Sequence, residues 1–301
     1  MNHLISLADF TPESLIELLD LADKLKKERN NLDYKPLAGK SIGMIFTKSS
    51  TRTRVSFEVG IQELGGTALF LSKNDIQIGR SESMSDTASV LSRYLHGIVI
   101  RCDEHETFMD YVQHSTVPVV NALTDDFHPC QLLADLQTIR EHCGKLKGIK
   151  AAYIGDGASN MANSWILAAK LSGIDLTIAA PKAFHPKQEI VDLVEGPGSV
   201  TVTDNIEAAI TGADVVYTDV WVSMGFEEEA KERLELLKPY QVNDKIMAFA
   251  KPSAKVMHCL PAYRGKEITA SVIDGPQSII WDEAENRLHA QKAVLVTLLT
   301  K

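Results

Sequence analysis

Short runs of apolar and β-branched residues recur along the chain, each followed by a longer stretch whose apolar positions fall every third or fourth residue. The first series is SIGMIF (41–46), TALFLS (67–72), GIVIRC (97–102) and PVVNAL (118–123). A second follows with AAYIGD (151–156), DLTIAA (175–180), SVTVTD (199–204), DVVYTD (214–219) and KVMHCL (255–260). Near-continuous apolar strands separated by helix-length segments predict parallel sheets covered on both faces, and so an α/β fold. Thr11-Pro12-Glu13 supplies a cap and first turn for an amphipathic helix over SLIELLDLADKLKK. The stretch CGKLKG (143–148) punctuates the two series. It divides the chain into a first domain over 1–142 and a second over 143–282. AENRLHAQKAVLVTLLTK closes the chain as a helix packed against another element.

Composition narrows the class. With 301 residues the chain is long enough for two ordinary domains. No apolar run approaches the roughly 20 residues that span a bilayer, and MNHLISLADFTPESL lacks a basic region followed by an apolar one. Cys102, Cys130, Cys143 and Cys259 are scattered, with no CxxC pair, which suits reduced thiols in a cytoplasm. The formal net charge of −9 argues against a nucleic-acid partner. Any anion site must therefore be a local concentration of positive charge.

Ser49-Ser50-Thr51-Arg52-Thr53-Arg54 is such a concentration, placed where a strand ends and a helix begins. The unpaired N–H groups and positive dipole end of a helix favour an anion there. Hydroxyls of Ser50, Thr51 and Thr53 can donate to phosphate oxygens, and Arg52 offers a bidentate fork. A Ser/Thr cap followed by two solvated arginines would read the same way. The GxxxxGK[ST] pattern is absent, so a nucleoside triphosphate is not implied. Arg101 and His128-Pro129-Cys130-Gln131 also follow strands of the first series. Open parallel sheets bind ligands at that carboxyl edge, so the three segments together favour a catalytic anion pocket.

Ser50-Thr-Arg-Thr-Arg54, His128-Pro-Cys-Gln131 and His258-Cys-Leu-Pro261 resemble the signature segments of the carbamoyltransferases. Asp219-Val-Trp-Val-Ser-Met-Gly225 narrows the resemblance to the ornithine carbamoyltransferases, and the similarity runs on to Glu285-Asn-Arg287. One departure is Ser159 in Gly155-Asp-Gly-Ala-Ser-Asn160, where that family often has two adjacent asparagines. The resemblance implies two doubly wound parallel-sheet domains, with the C-terminal helix (283–301) returning to the first. It also implies carbamoyl transfer from carbamoyl phosphate to the δ-amine of L-ornithine, giving citrulline and phosphate, in an enzyme of arginine metabolism built as a trimer.

On that resemblance Ser50, Thr51, Arg52 and Thr53 hold the phosphate. Arg101, His128 and Thr53 polarise the carbonyl oxygen, and Gln131 binds the carbamoyl NH₂. Gln77, Pro129, Cys130, Cys259, Leu260 and Arg287 complete the carbamoyl phosphate set, with Arg101, His128, Cys259 and Arg287 catalytic. Asn160, Asp219, Ser223 and Met224 receive ornithine; Cys259 and the Leu260 carbonyl suit its δ-amine. Amine attack develops negative charge on oxygen and phosphate leaves as an anion, so preorganised donors are the main device needed. No metal or organic cofactor is required, because phosphate is already a good leaving group.

Rival chemistries fit less well. Adjacent His-Cys pairs at 258–259 and the His128/Cys130 pair do not match usual zinc-ligand spacings. IGDGASN follows a strand but lacks the third glycine of a dinucleotide fingerprint, and DLTIAAPK ends without an acidic ribose partner. A non-catalytic anion binder would not need His128, Cys259 and Arg287 beside a phosphate cradle. Putrescine and acetylornithine carbamoyltransferases remain close alternatives.

Overall fold

The computed structural model describes residues 2–30, 33–72, 83–222 and 230–300. Contacts divide the chain into two compact units, Met1–Gln137 with Glu285–Lys301, and Thr138–Ala284.

The first unit is built on β1 (Ser41–Phe46), β2 (Thr67–Ser72), β3 (Gly97–Arg101) and β4 (Val119–Leu123). Among the described residues these form an all-parallel sheet in the order β2-β1-β3-β4. Ile42, Met44, Ile45, Ile98, Val99, Ile100, Val119 and Val120 are buried along it. The connecting helices are α1 (Pro12–Lys27), α2 (Thr51–Glu63), α3 (Met84–Leu91), α4 (His105–His114) and α5 (Pro129–Cys143), whose residues from Thr138 onward belong to the second unit. α1 begins where the cap residue places it: Ser14 N–H donates to Thr11 Oγ1 (3.2 Å), Thr11 N–H donates to Ser14 Oγ (2.9 Å), and Pro12 opens the first turn.

The second unit holds β5 (Lys150–Ile154), β6 (Asp175–Ala179), β7 (Ser199–Thr203), β8 (Val215–Thr218) and β9 (Lys255–Met257). They are parallel, in the order β7-β6-β5-β8-β9. Its helices are α6 (Asn160–Ser172), α7 (Gln188–Val191), α8 (Ile206–Ile210), α9 (Ala230–Leu237), α10 (Asp244–Met247) and α11 (Ala270–Ile273). α6 is buried nearly throughout, and Trp165 meets Tyr217 of β8 edge-on at 5.0 Å. Gly198 is forced by this packing: a Cβ there would lie 2.0 Å from the Ala169 carbonyl.

The final helix, α12 (Ile280–Leu299), joins the first unit from Glu285 onward. It seats against α2 at Gly60, where an added Cβ would lie 3.1 Å from Lys292. Lys292 Nζ pairs with Glu63 at 2.8 Å, and Lys26 Nζ donates to Asn286 at 2.8 Å. The C-terminal segment thus returns to the first domain. No described helix is long and apolar enough to cross a membrane.

Candidate active site

In the first unit β1 delivers the chain to Ser50, the N-cap of α2. The Ser50 hydroxyl makes no capping hydrogen bond, unlike Thr11 at α1. The donors of the first turn of α2 are therefore not taken up by the cap, and an anion suits them. Thr51 and Arg52 are exposed, while Thr53 is buried. Arg54 has other duties: its guanidinium lies 3.7 Å from the Phe70 ring centroid and pairs with Glu58 at 3.2 Å. This distinguishes the two arginines of the motif.

Arg101 ends β3, paired in register with Phe46 at the end of β1. His128 lies immediately before α5 and is buried. Burial first, then the charges of Arg287, Arg101 and Arg52, hold its imidazole well below the ordinary histidine range. Those causes also state the local electrostatics, three guanidinium groups around one neutral ring. Arg287 of α12 reaches the same place. Its NH1 donates to Gln131 Oε1 (2.6 Å) and its NH2 to Thr53 Oγ1 (3.1 Å). Gln131 Nε2 donates to Asp135 Oδ1 at 2.8 Å. With its amide assigned from its hydrogen-bonding neighbours, Gln291 sets its oxygen toward Arg287 NH2 (3.0 Å) and its nitrogen toward Ser56 Oγ (2.6 Å). A buried polar chain thus ties α2, α5 and α12 together beside the N-terminal turn of α2. Cys130 is different. Its thiol donates to the Asn121 carbonyl (3.4 Å), and burial pushes it up to about 12, so it faces the core as an inert thiol.

In the second unit Asp219 follows β8 and Cys259 follows β9, its neighbour in the sheet. Cys259 Sγ donates to Asp219 Oδ1 at 3.0 Å, and Val220 N–H donates to the same oxygen at 2.7 Å. Burial raises the Asp219 carboxyl, opposed by His258, Cys259 and Val220. Behind Cys259, His258 Nδ1 accepts from Leu260 N–H (2.9 Å), so Nε2 carries the proton and donates to Glu267 Oε1 (3.2 Å). His258 N–H donates to Glu283 Oε2 at 2.8 Å. Leu260 itself sits at φ 60°, a conformation costly for a branched residue, and these bonds hold it. Asp219, His258 and Cys259 bring ligand-type atoms within 4.8 Å of one another. Both ring nitrogens of His258 are nevertheless engaged by Leu260 N–H and Glu267, while Cys259 and Asp219 bond to each other.

Asn160 opens α6, and Ser159 before it caps that helix by accepting from Ala162 N–H (3.2 Å) while meeting Tyr153 OH at 3.0 Å. The serine departure thus has a structural role of its own. Arg233 of α9 pairs with Asp156, donates to the Trp221 carbonyl (3.3 Å) and lies 4.6 Å from the Phe184 ring centroid. It ties the loop after β5 to the loop after β8.

Gln77, Ser223 and Met224 lie outside the described residues. Sequence reasoning missed Asp135, Gln291, Glu267 and Glu283. Asp135 had a usable signal, its place one helical turn from Gln131; the other three meet their partners only through tertiary packing.

Residues 2–141 match the carbamoyl-P binding domain model of aspartate/ornithine carbamoyltransferase, and residues 147–298 match its Asp/Orn binding domain. An ornithine carbamoyltransferase of Methanobrevibacter smithii is 50% identical, covering 99% of this chain and 100% of that one. One from Halalkalibacterium halodurans is 53% identical, covering 99% and 95%. The solved structure of ornithine carbamoyltransferase from Pyrococcus furiosus superposes with a TM-score of 0.95 at 45% identity, covering 99% of this chain and 97% of that one. The chain belongs to the aspartate/ornithine carbamoyltransferase family.

Proposed function

We propose that the protein transfers the carbamoyl group of carbamoyl phosphate to the δ-amine of L-ornithine, releasing L-citrulline and phosphate. The observation that carries this reading is the Arg287–Gln131–Thr53 constellation beside the uncapped start of α2, in a chain half identical over its length to named ornithine carbamoyltransferases. In this reading Ser50, Thr51, Arg52 and Thr53 take the phosphate oxygens. Thr53, Arg101 and His128 face the carbonyl oxygen. His128, held neutral by burial first and then by its cationic neighbours, donates to that oxygen without adding a fourth charge. Gln131 Oε1 accepts from the carbamoyl NH₂, and Arg287 fixes both Gln131 and Thr53.

On the amine side Asp219 pairs with the α-ammonium, and Asn160, Ser223 and Met224 take the carboxylate end. Cys259 and the Leu260 carbonyl receive the δ-amine, which must be neutral to attack. The amine nitrogen forms a bond to the carbonyl carbon, the bond from that carbon to the phosphate oxygen breaks, and an amine proton leaves with the phosphate. Assembly into a homotrimer belongs to the same reading and rests on the family resemblance alone. Four unbridged cysteines favour a reducing cytoplasm, and citrulline as product fits arginine metabolism. Citrulline and phosphate should appear in equal amounts from carbamoyl phosphate and L-ornithine. Phosphate release without citrulline would contradict the assignment.

A further inference from the structure

One turn beyond Gln131 on α5, Asp135 is fully buried and accepts from Gln131 Nε2 at 2.8 Å. From the other side Arg287 NH1 donates to Gln131 Oε1 at 2.6 Å. Asp135 accepts at one end of the amide and a guanidinium, which only donates, holds the other, so the amide between them has one favourable orientation. Turned over, it would set an N–H against the guanidinium and an oxygen against the carboxylate, both in a buried, low-dielectric setting. The same guanidinium donates to Thr53, so Oε1 lies on the side of the phosphate cradle.

The geometry points to Asp135 as a positioning residue that locks Gln131 with its oxygen toward the acyl phosphate, so that the site selects an acyl group bearing an NH₂ donor over one bearing a methyl. Asp135 touches no substrate; it acts through Gln131. This rests on the carbamoyl phosphate reading above. It adds that the discrimination between carbamoyl and acetyl phosphate resides in the amide's orientation and not in its mere presence.

The test measures dissociation constants of inorganic phosphate, acetyl phosphate and carbamoyl phosphate for the intact protein and for Asp135→Asn, which keeps size but removes the obligatory acceptor. Phosphate and acetyl phosphate should stay within about twofold, while carbamoyl phosphate weakens about tenfold, the scale of one charge-assisted hydrogen bond. Equal weakening of all three ligands would make Asp135 merely structural and overturn the inference, as would an unchanged preference. Gln131→Met supplies the second arm: it should lose the same preference, and adding Asp135→Asn to it should change nothing further. Additive losses in that pair would overturn the inference even if Asp135→Asn alone proved unstable. A wild-type protein with no preference for carbamoyl over acetyl phosphate would instead sink the carbamoyl phosphate reading itself.

Discussion

Asp219→Asn removes one negative charge while keeping the side chain's size and its ability to accept from Cys259 and Val220. In the wild type this carboxylate is 9% exposed, so an ammonium paired with it is shielded from water. A hydrogen bond to a charged group contributes about 1.5–3 kcal/mol. Ornithine should therefore bind about 10- to 100-fold more weakly to the variant. Carbamoyl phosphate should be weakened far less. In the proposed reading Ser50, Thr51, Arg52, Thr53, Arg101, His128, Gln131 and Arg287 hold it from the other unit, and only Cys259 and Leu260 of its set share a unit with Asp219. Stability should move the opposite way from activity. Burial raises the Asp219 carboxyl above its ordinary 3.8, so the folded protein holds that proton more tightly than the unfolded chain. The stability this group contributes is present below 3.8 and lost as pH rises through the folded value. The asparagine variant escapes that loss. Its melting temperature at pH 7 should equal or exceed that of the wild type, with the advantage fading toward pH 3.8. Calorimetric titration with each substrate and thermal melts across pH read both quantities. Ornithine affinity within about twofold of wild type, or equal loss for both substrates, would refute the assignment.

Arg52→Ala should weaken carbamoyl phosphate about 100-fold through loss of a bidentate charge-assisted contact, with melting unchanged because the side chain is exposed; equilibrium binding and thermal melts check both halves. Arg233→Met should cost about 2–3 kcal/mol of stability in denaturant titration, below the fully buried range because Arg233 keeps 19% side-chain exposure. Adding Asp156→Asn should recover most of that loss, since the stranded carboxylate is then gone. Burial lowers buried His289 from 6.5 to about 4, so wild-type stability is full above 6.5 and declines as pH falls toward 4. His289→Leu should lose less between pH 7.5 and pH 5, and identical pH dependence of the two proteins would contradict this.

The central strands were legible because parallel strands buried on both faces must be apolar at nearly every position, which leaves an unmistakable run. Edge strands β2 and β7 are half-exposed and show through their β-branched and aromatic residues. The structure trims those runs where polar residues begin: GIVIRC ends at Arg101, DVVYTD spans only Val215–Thr218, and KVMHCL ends at Met257. Asp219, His258 and Cys259 thus sit in the loops just past the strands. The strand-to-helix junction at Ser50, which the proposed function makes a phosphate cradle, was legible for a related reason, since hydroxyls and a guanidinium gather where β1 gives way to α2. That Arg52 and Arg54 part ways was not, because Phe70 and Glu58 claim Arg54 only after β2 and α2 have packed. Glu267 was equally hidden. It follows the His258 motif through a segment without helical or strand period, and only folding returns it to His258. Gln291 and Glu283 were read as part of a plain helix, because a buried partner on another element leaves no mark on spacing.

The most direct test offers the protein one acyl donor and several amines together. Carbamoyl phosphate is supplied with equal concentrations of L-ornithine, putrescine, N-acetylornithine and L-lysine, and the ureido products are quantified by mass spectrometry. Putrescine leaves the donors for an α-carboxylate unpaired, each at about 1–3 kcal/mol, and lysine's extra methylene misplaces its amine. Citrulline should exceed every other product by about tenfold or more. Carbamoylputrescine or carbamoylated acetylornithine in equal or greater amount would contradict the ornithine assignment, and no ureido product at all would contradict carbamoyl transfer.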